Sequence, residues 1–263
     1  MNEVLFLREI DGRGVARLTL NRPEVHNAFN DALIAELTAA LAELEADPQV
    51  RLVVLASHGK SFSAGADLTW MKRMAANSEA ENQADARRLA GLMRRLNELA
   101  KPTVVLVQGP TFGGGVGLVA CCDIAIASEA ASFCLSEVKL GLIPAAIGPY
   151  VMAAIGARAA RRYFLSAETF SAAEAQQFGL VHQVVPAEAL EIAGQDMIQA
   201  LLRAGPTAQA AAKDLVLALS GRVVDDALVE DTALRIARLR AGAEAQGGIA
   251  AFLEKRRPAW RGD

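Results

Sequence analysis

Two turns rich in small residues constrain the fold of this chain more than any other feature. The first is SFSAGADL at residues 61–68, and the second is QGPTFGGGVGL at residues 108–118. Each follows a hydrophobic strand and runs into a helix. Two such turns can direct two backbone N–H groups at one oxygen atom, which is the arrangement of an oxyanion hole. The chain therefore carries the elements of a site that stabilises negative charge on a carbonyl oxygen.

Composition narrows the classes of protein to which the chain can belong. With 263 residues, 52% of them hydrophobic, it is long enough for one large domain with a sizeable core, alone or with an appendage. The formal net charge of -3 gives no basic excess, so nucleic acid is not expected as a partner. The three cysteines form no CxxC pair and have no histidine at ligand spacing, so we expect no metal.

The sequence also carries an expectation about location. The N-terminal sequence MNEVLFLREIDGRG has acidic residues where a signal peptide needs basic ones, and its apolar run is short. The longest uncharged stretch, at residues 102–122, is interrupted by glycine and proline. We therefore expect a cytoplasmic protein without a transmembrane segment.

Apolar runs and helical periods alternate along the first two thirds of the chain, which indicates the α/β class. Two of the predicted helices begin at capping boxes, Ser78 to Glu81 and Ser171 to Glu174. The predicted strands cover residues 4–10, 15–20, 52–56, 103–107, 124–127 and 180–185. The predicted helices cover about residues 31–47, 78–100, 113–122 and 171–179.

The chain after Pro186 is predicted to be helical. Helices are expected to begin near residues 187, 206, 224 and 247. Because no strand remains for them to cover, their apolar faces must pack on one another or on another subunit. We expect a core over residues 1–195 and a helical trimerisation region over residues 196–263, giving a homotrimer or a homohexamer.

Three common motifs do not fit the glycine-rich segments. The run at residues 113–117 supplies no GxGxxG, because residue 118 is leucine and no acidic residue follows a second strand at the proper distance. The segment Gly59-Lys60-Ser61 matches only the end of a P-loop, because the earlier glycine would fall at Val54. No GxSxG elbow is present. Dinucleotide binding, P-loop chemistry and serine hydrolysis are therefore not supported.

The segments FSAGADL, FGGG and CDIAIAS together resemble the enoyl-CoA hydratase/isomerase (crotonase) family, and the resemblance covers most of the chain. It implies a spiral of ββα units, which composition and period alone do not separate from a doubly wound sheet. It also implies that the core over residues 1–195 binds an acyl-CoA thioester. Coenzyme A would then be part of the substrate, and no separate cofactor is expected.

The resemblance assigns roles to particular residues of the two turns and of a third segment. It makes the backbone N–H groups of Ala66 and Gly114 the oxyanion donors. Hydratases of the family commonly carry two glutamates, of which one position is Gly117 here and the other is Glu137 in LSEVKLGLIP. We expect Glu137 to be the acid/base, with its pKa raised by burial. In the turn that follows, Ala145 keeps an N–H that could hold the reacting water.

The resemblance also assigns contacts with coenzyme A. Those from the two turns and the N-terminal loop are Ala28, Ala64, Ala66, Asp67, Leu68 and Gly114. Two further contacts, Phe252 and Lys255, match a C-terminal segment that reaches coenzyme A from its own or a neighbouring subunit. A lysine there suits a phosphate.

The most specific resemblance is to the bacterial 3-methylglutaconyl-CoA hydratase subgroup. It rests on Trp70-Met71, on Gly117 and on the segments at residues 121–123 and 144–150. A substrate with a free carboxylate needs a cation, for which the candidates are Lys72, Arg73 and Lys139. We expect addition of water across a 2-enoyl-CoA double bond. The alternatives are a Δ3-Δ2-enoyl-CoA isomerase, which needs one carboxylate, and an inactive CoA-binding homologue.

Overall fold

A computed structural model describes residues 4–261, and its centre is a sheet of six strands in the order β1-β2-β3-β4-β6-β9. The first pair is antiparallel and all the others are parallel. Its strands are β1 (Phe6–Ile10), β2 (Val15–Leu20), β3 (Leu52–Ser57), β4 (Thr103–Val107), β6 (Ile124–Ser128) and β9 (Gln183–Val185). The carboxyl ends of β3 and β4 therefore lie side by side, and the two small-residue turns follow these ends.

A second, smaller sheet receives the chain after β4 and after β6 of the large one. It consists of β5 (Thr111–Phe112), β7 (Ser132–Cys134) and β8 (Thr169–Ser171). Single bridges extend it from Thr111 to Ser63 and from Ala66 to Phe29. From β2 to β6, each turn of the chain thus adds a strand to the large sheet, crosses to the small one and returns through one or more helices. This confirms the α/β class and the spiral of ββα units.

The helices lie between these strands and after them. Their bounds are α1 (Asp31–Ala46), α2 (Leu68–Ala76), α3 (Glu79–Glu98), α4 (Gly114–Cys121), α5 (Gly148–Ser166), α6 (Ala172–Phe178), α7 (Leu190–Leu202), α8 (Pro206–Leu219), α9 (Asp226–Ala241) and α10 (Ala243–Leu253). Both predicted capping boxes are present, with Ser78 starting α3 and Ser171 starting α6. The side chain of Asn30 accepts the Leu33 N–H and starts α1.

Both faces of the large sheet are buried, because alternate residues of each strand point to opposite sides. Val53 and Leu55 belong to the main core, which α1, α3, α4 and α5 help to build. Leu52 and Val54 belong to a smaller apolar cluster on the other face. This two-sided burial explains why the strands read as continuous apolar runs rather than as alternating ones.

Helix α7 corrects the expectation that the helices after Pro186 have no strand to cover. Its residues Leu190, Ala193 and Ile198 complete the smaller cluster on the large sheet. A Cβ on Gly194 would lie 3.0 Å from Leu106, so α7 approaches β4 closely. The expected boundary between residues 195 and 196 falls inside this helix, and trimerisation itself stays a prediction.

The C-terminal helices are attached to the core by partly buried polar contacts. Lys213 of α8 donates to Asp123 at 2.8 Å, and Asp123 also accepts from the N–H and the hydroxyl of Thr103. The Arg51 side chain donates to the Ala204 carbonyl oxygen at 2.9 Å and to that of Trp260 at 3.1 Å. Within residues 4–261, no helix is long and apolar enough to span a membrane.

Candidate active site

In the first turn, the N–H of Ala66 points away from the neighbouring segment at Phe29. Gly65 accepts from the Phe29 N–H at 2.6 Å, and Asp67 donates to the Phe29 carbonyl oxygen at 2.8 Å. In a planar trans peptide the N–H points opposite to the preceding C=O, so the Ala66 N–H points away from Phe29. Nothing in the described part of the chain accepts a hydrogen bond from it. Ala66 is exposed, so this amide is accessible to a ligand.

The second turn presents the N–H of Gly114 at the start of α4. Gly113 has φ 47° and ψ -116°, a left-handed conformation that only glycine adopts readily. Gly114 is the first residue of the helix, so its N–H has no partner one turn earlier, and no side chain caps this end. The partial positive charge of a helix N-terminus adds to this donor.

Contacts between the turns bring these two amides together. Phe112 donates to the Ser63 carbonyl oxygen at 2.8 Å. A Cβ on Gly113 would lie 4.0 Å from the Gly65 Cα, and one on Gly115 would lie 2.8 Å from the Ser63 Cβ. Position 115 therefore has no room for a side chain, and position 113 favours glycine because of its φ of 47°. The two turns are therefore in direct backbone contact, and an oxyanion hole formed by Ala66 and Gly114 stays a prediction.

Glu137 lies against the second turn. It begins a short 3-10 helix (Glu137–Leu140) that follows β7, and a Cβ on Gly113 would lie 3.1 Å from its Oε1. Its Oε2 is buried and has no hydrogen-bond partner in the described chain. Burial raises the pKa of Glu137 above its ordinary 4.5, although its own backbone N–H acts in the opposite direction. The site therefore has a carboxyl group able to carry a proton beside two free amides.

Comparison with known proteins places the chain in a family. Residues 11–263 match the family model described as Enoyl-CoA hydratase/isomerase. The chain belongs to this family. A crystal structure of an enoyl-CoA hydratase from Shewanella pealeana superposes with a TM-score of 0.95 and 46% identity, over 97% of this chain and 96% of that chain. The protein is therefore an enzyme of the hydratase/isomerase type.

Two named relatives indicate how widely the acyl group varies among similar proteins. The 2,3-dehydroadipyl-CoA hydratase of Escherichia coli is 34% identical over 100% of this chain and 100% of its own. The mevalonyl-coenzyme A hydratase of Aspergillus fumigatus is 34% identical over 93% of this chain and 90% of its own. The similarity therefore extends over the whole fold, whereas the acyl groups in these two names differ.

Position 117, where hydratases of the family commonly carry their other glutamate, has no room for a side chain. A Cβ on Gly117 would lie 2.2 Å from the Ile147 Cγ2, 2.9 Å from the Ile147 Cβ and 3.1 Å from the Met93 sulfur. Ile147 is buried just before α5 and fills this space. The sequence showed only that a carboxylate is missing at position 117. The structure adds that an isoleucine from another element has taken its place.

The structure does not supply a free N–H at Ala145. This amide donates to the Ile143 carbonyl oxygen at 2.8 Å, within the turn that precedes α5. The expectation that this N–H holds the reacting water stays a prediction, and it requires the donor to leave the tight turn that already uses it. Ala145 itself is exposed.

The residues expected to contact coenzyme A differ in which backbone groups they have free to bind it. Ala64 and Leu68 are exposed and flank Ala66. The N–H of Ala64 donates to the His26 carbonyl oxygen, and the N–H of Ala28 donates to the Val25 carbonyl oxygen. No residue in the described part of the chain donates to the Ala64 carbonyl oxygen, so this oxygen is left for a ligand.

Asp67 and Ala28 are engaged within the protein. Asp67 caps α2 by accepting the N–H groups of Thr69 and Trp70, and it pairs with Arg22 at 3.2 Å. Arg22 also donates to the Ala28 carbonyl oxygen at 2.7 Å. These hydrogen bonds shape the turn, and they lower the pKa of Asp67 despite its burial.

The C-terminal candidates Phe252 and Lys255 lie at the end of α10. Phe252 is 82% exposed, and Lys255 has φ 55°. This region is connected to the amino end of β3. Trp260 packs on Gly248 of α10, and its carbonyl oxygen accepts a hydrogen bond from Arg51, the residue before β3. The two small-residue turns follow the opposite ends of the strands. Contact with coenzyme A therefore stays a prediction, and this arrangement favours a neighbouring subunit as its source.

Proposed function

We propose that this enzyme adds water across the double bond of a 2-enoyl-CoA thioester, with Glu137 as its principal acid/base. The observation that carries the proposal is the buried, unpartnered Oε2 of Glu137 beside the turn that presents the Gly114 N–H. The thioester oxygen would bind the N–H groups of Ala66 and Gly114. These donors stabilise the enolate that forms when C3 is attacked.

The reaction follows from one carboxylate acting twice. Glu137 accepts a proton from water while the hydroxyl oxygen bonds to C3, and the electron pair of the double bond passes to the thioester oxygen. The enolate then collapses, and C2 takes the proton from Glu137. The hydroxyl group of the water is then on C3 and its proton is on C2, and the carboxylate of Glu137 is regenerated. Both transfers occur on the face where Glu137 lies, which makes the addition syn.

For the acyl group we propose a branched or carboxylated enoyl chain, such as 3-methylglutaconyl. Among the candidate cations, Arg73 already pairs with Asp31 at 3.0 Å. Lys72 and Lys139 are exposed, and neither forms an ion pair with any described residue. Lys139 lies two residues after Glu137, which makes it the better placed cation for a distal carboxylate.

Double-bond migration is the second candidate function. The packing of Gly117 against Ile147 favours it, because it leaves one carboxylate at the site. One carboxylate suffices to move a proton between C4 and C2 without water. The inactive-homologue alternative is less well supported, because the two free amides and Glu137 are all in place.

We also propose that the enzyme is a homotrimer or a pair of trimers. Helices α8–α10 leave large apolar side chains exposed, among them Val216, Val229, Ile249, Phe252 and Leu253. Surfaces of this kind mark protein contacts. Light scattering at micromolar concentration should give at least three times the mass of one chain, and a monomer would contradict the proposal.

The test of the chemistry compares the wild type with Glu137→Gln on several enoyl-CoA thioesters, following hydration and migration separately. Removing general acid/base help should slow hydration by at least about 100-fold while leaving affinity for coenzyme A nearly unchanged. Glu36→Gln is the matched control, because Glu36 is an exposed residue of α1. Hydration at the wild-type rate by the Glu137 variant would refute the assignment. Migration without hydration in the wild type would establish the isomerase instead.

A further inference from the structure

A buried polar network connects the loop at residues 22–30 with the first oxyanion turn, and its centre is Asn27. This side chain is fully buried. Its Oδ1 accepts the Arg22 N–H at 2.8 Å, and its Nδ2 donates to the carbonyl oxygens of His58 at 2.8 Å and Ser61 at 3.0 Å. Both amide hydrogens of Asn27 are therefore used to hold the chain that leads into the turn.

The network continues through Ser63 to the peptide that contains the oxyanion donor. Ser63 donates its hydroxyl to the Asn27 carbonyl oxygen at 2.9 Å, and the same hydroxyl oxygen accepts the Gly65 N–H at 3.3 Å. The Gly65 carbonyl oxygen is held by Phe29, as described above. Because that C=O and the Ala66 N–H share one rigid peptide plane, fixing Gly65 fixes the direction of the Ala66 N–H.

The residue after Ala66 is held from the same loop. Arg22 and Asp67 form an ion pair whose side chains are only 8% and 12% exposed. Asp67 accepts from the first amides of α2 with its other oxygen. The network therefore fixes the chain on both sides of Ala66, and no residue within 4–261 accepts a hydrogen bond from the Ala66 N–H.

The backbone at the centre of the network is strained. His26 and Asn27 have φ 53° and φ 54°, so two consecutive residues other than glycine are left-handed. Such conformations persist where the surrounding contacts over-determine them, and they cluster at functional sites. Asparagine tolerates this region better than most residues, and here it also supplies two donors.

We propose that Asn27 is a positioning residue for the oxyanion donor at Ala66, acting through Ser63 and Gly65. The inference rests on the proposed function, in which the Ala66 N–H receives the thioester oxygen. Asn27 is fully buried and acts through the turn, without touching the substrate. Its removal should therefore weaken stabilisation of the enolate more than it weakens binding of the substrate.

The experiment uses Asn27→Asp, which keeps the shape and the tolerance of a left-handed backbone but removes both N–H donors. The probe is an enoyl-CoA whose double bond is conjugated to an amino-substituted phenyl ring. Hydrogen bonds to its carbonyl oxygen move the absorption to longer wavelength, because they stabilise charge transfer toward that oxygen. The variant should lose at least about half of the wild-type shift, and kcat should fall about 10- to 100-fold with KM changed less than about threefold.

The matched control is Thr103→Val. Thr103 is also buried and hydrogen-bonded, to Asp123, but it lies at the amino end of β4, away from the turns. It should lower the melting temperature and retain the full spectral shift and kcat. If Asn27→Asp does not fold, Ser63→Ala tests the same link, because it removes only the hydroxyl that joins Asn27 to Gly65.

The outcomes separate this inference from the proposed function. A wild-type shift and kcat in the folded variant would overturn the positioning role of Asn27. An equal loss in Thr103→Val would also overturn it, because general destabilisation would then explain the effect. Absence of any shift in the wild-type enzyme would count against the oxyanion role of Ala66 and Gly114, and so against the proposed function itself.

Discussion

Replacing Gly117 by alanine tests whether Ile147 truly occupies the space of a side chain at that position. The added Cβ would lie 2.2 Å from the Ile147 Cγ2, well inside van der Waals contact. Ile147 cannot retreat easily, because its carbonyl oxygen accepts from Tyr150 and Val151 at the start of α5. Overpacking of this kind costs about 1–3 kcal/mol, from which the better helix propensity of alanine recovers about 1 kcal/mol. We expect a net loss of up to about 2 kcal/mol in the free energy of unfolding, instead of the gain that alanine gives at an unobstructed helix position.

A double-mutant cycle with Ile147→Ala isolates the contact. Ile147→Ala alone should cost about 2–5 kcal/mol, because it leaves a cavity at a buried site. With Ile147 shortened, the alanine at position 117 has no clash and fills part of that cavity. The pair should therefore be more stable than the sum of the single changes by at least about 1 kcal/mol.

The measurement is urea unfolding followed by circular dichroism at one fixed protein concentration, because association would make the midpoint depend on concentration. The control is Gly91→Ala on α3, where no atom lies within 4 Å of the added Cβ. That change should raise stability by about 0.5–1 kcal/mol, because it adds only helix propensity. If Gly117→Ala behaves like Gly91→Ala, or if the cycle is additive, the packing argument is refuted.

Two further predictions concern the ionisation of Glu137. Its raised pKa means that the carboxylate, which must accept a proton from water, is half formed only at a pH above 4.5. The value of kcat/KM for hydration should therefore rise with pH through a midpoint above 4.5. A midpoint at or below 4.5 would contradict this assignment. The same shift makes the folded state hold this proton more tightly than the unfolded state, so wild-type stability falls as pH rises from 4.5 through the folded pKa. Glu137→Gln should therefore be more stable than the wild type at pH 7, and denaturant unfolding should show that advantage vanish below pH 4.5.

The sequence predicted those helices and strands whose signals lie within a few neighbouring residues. The capping boxes at Ser78 and Ser171 marked helix starts correctly, because each is completed within one turn. Helix α5 escaped prediction because Pro149 lies at its start and Gly156, with φ 74°, interrupts it. Strands β5, β7 and β8 have two or three residues each, too few for an alternating pattern. Their pairing comes from long-range contacts that no local window contains.

The candidate site divides in the same way. Ala66, Gly114 and Glu137 lie in recognisable segments, and the structure brings those segments together. Ile147 lies in the segment at residues 144–150 that carried part of the resemblance, but its role arises only where the start of α5 packs on α4. Asn27 was visible in the sequence as part of the N-terminal loop, but its side-chain bonds to His58 and Ser61 reach a segment more than thirty residues further along the chain.

The unpartnered oxygen of Glu137 is consistent with a single carboxylate that must both accept and return a proton. A hydrogen-bond donor placed on Oε2 would stabilise the ionised form and lower the pKa, which would favour acceptance from water and hinder return to C2. Burial without a donor does the opposite, and it raises the pKa toward the range in which both directions are accessible. In a site with two carboxylates these demands could be divided between two groups. With Ile147 in place of the second group, the proposed mechanism makes the environment of Glu137 meet both demands, and a buried carboxylate oxygen without a hydrogen-bond donor fits that requirement.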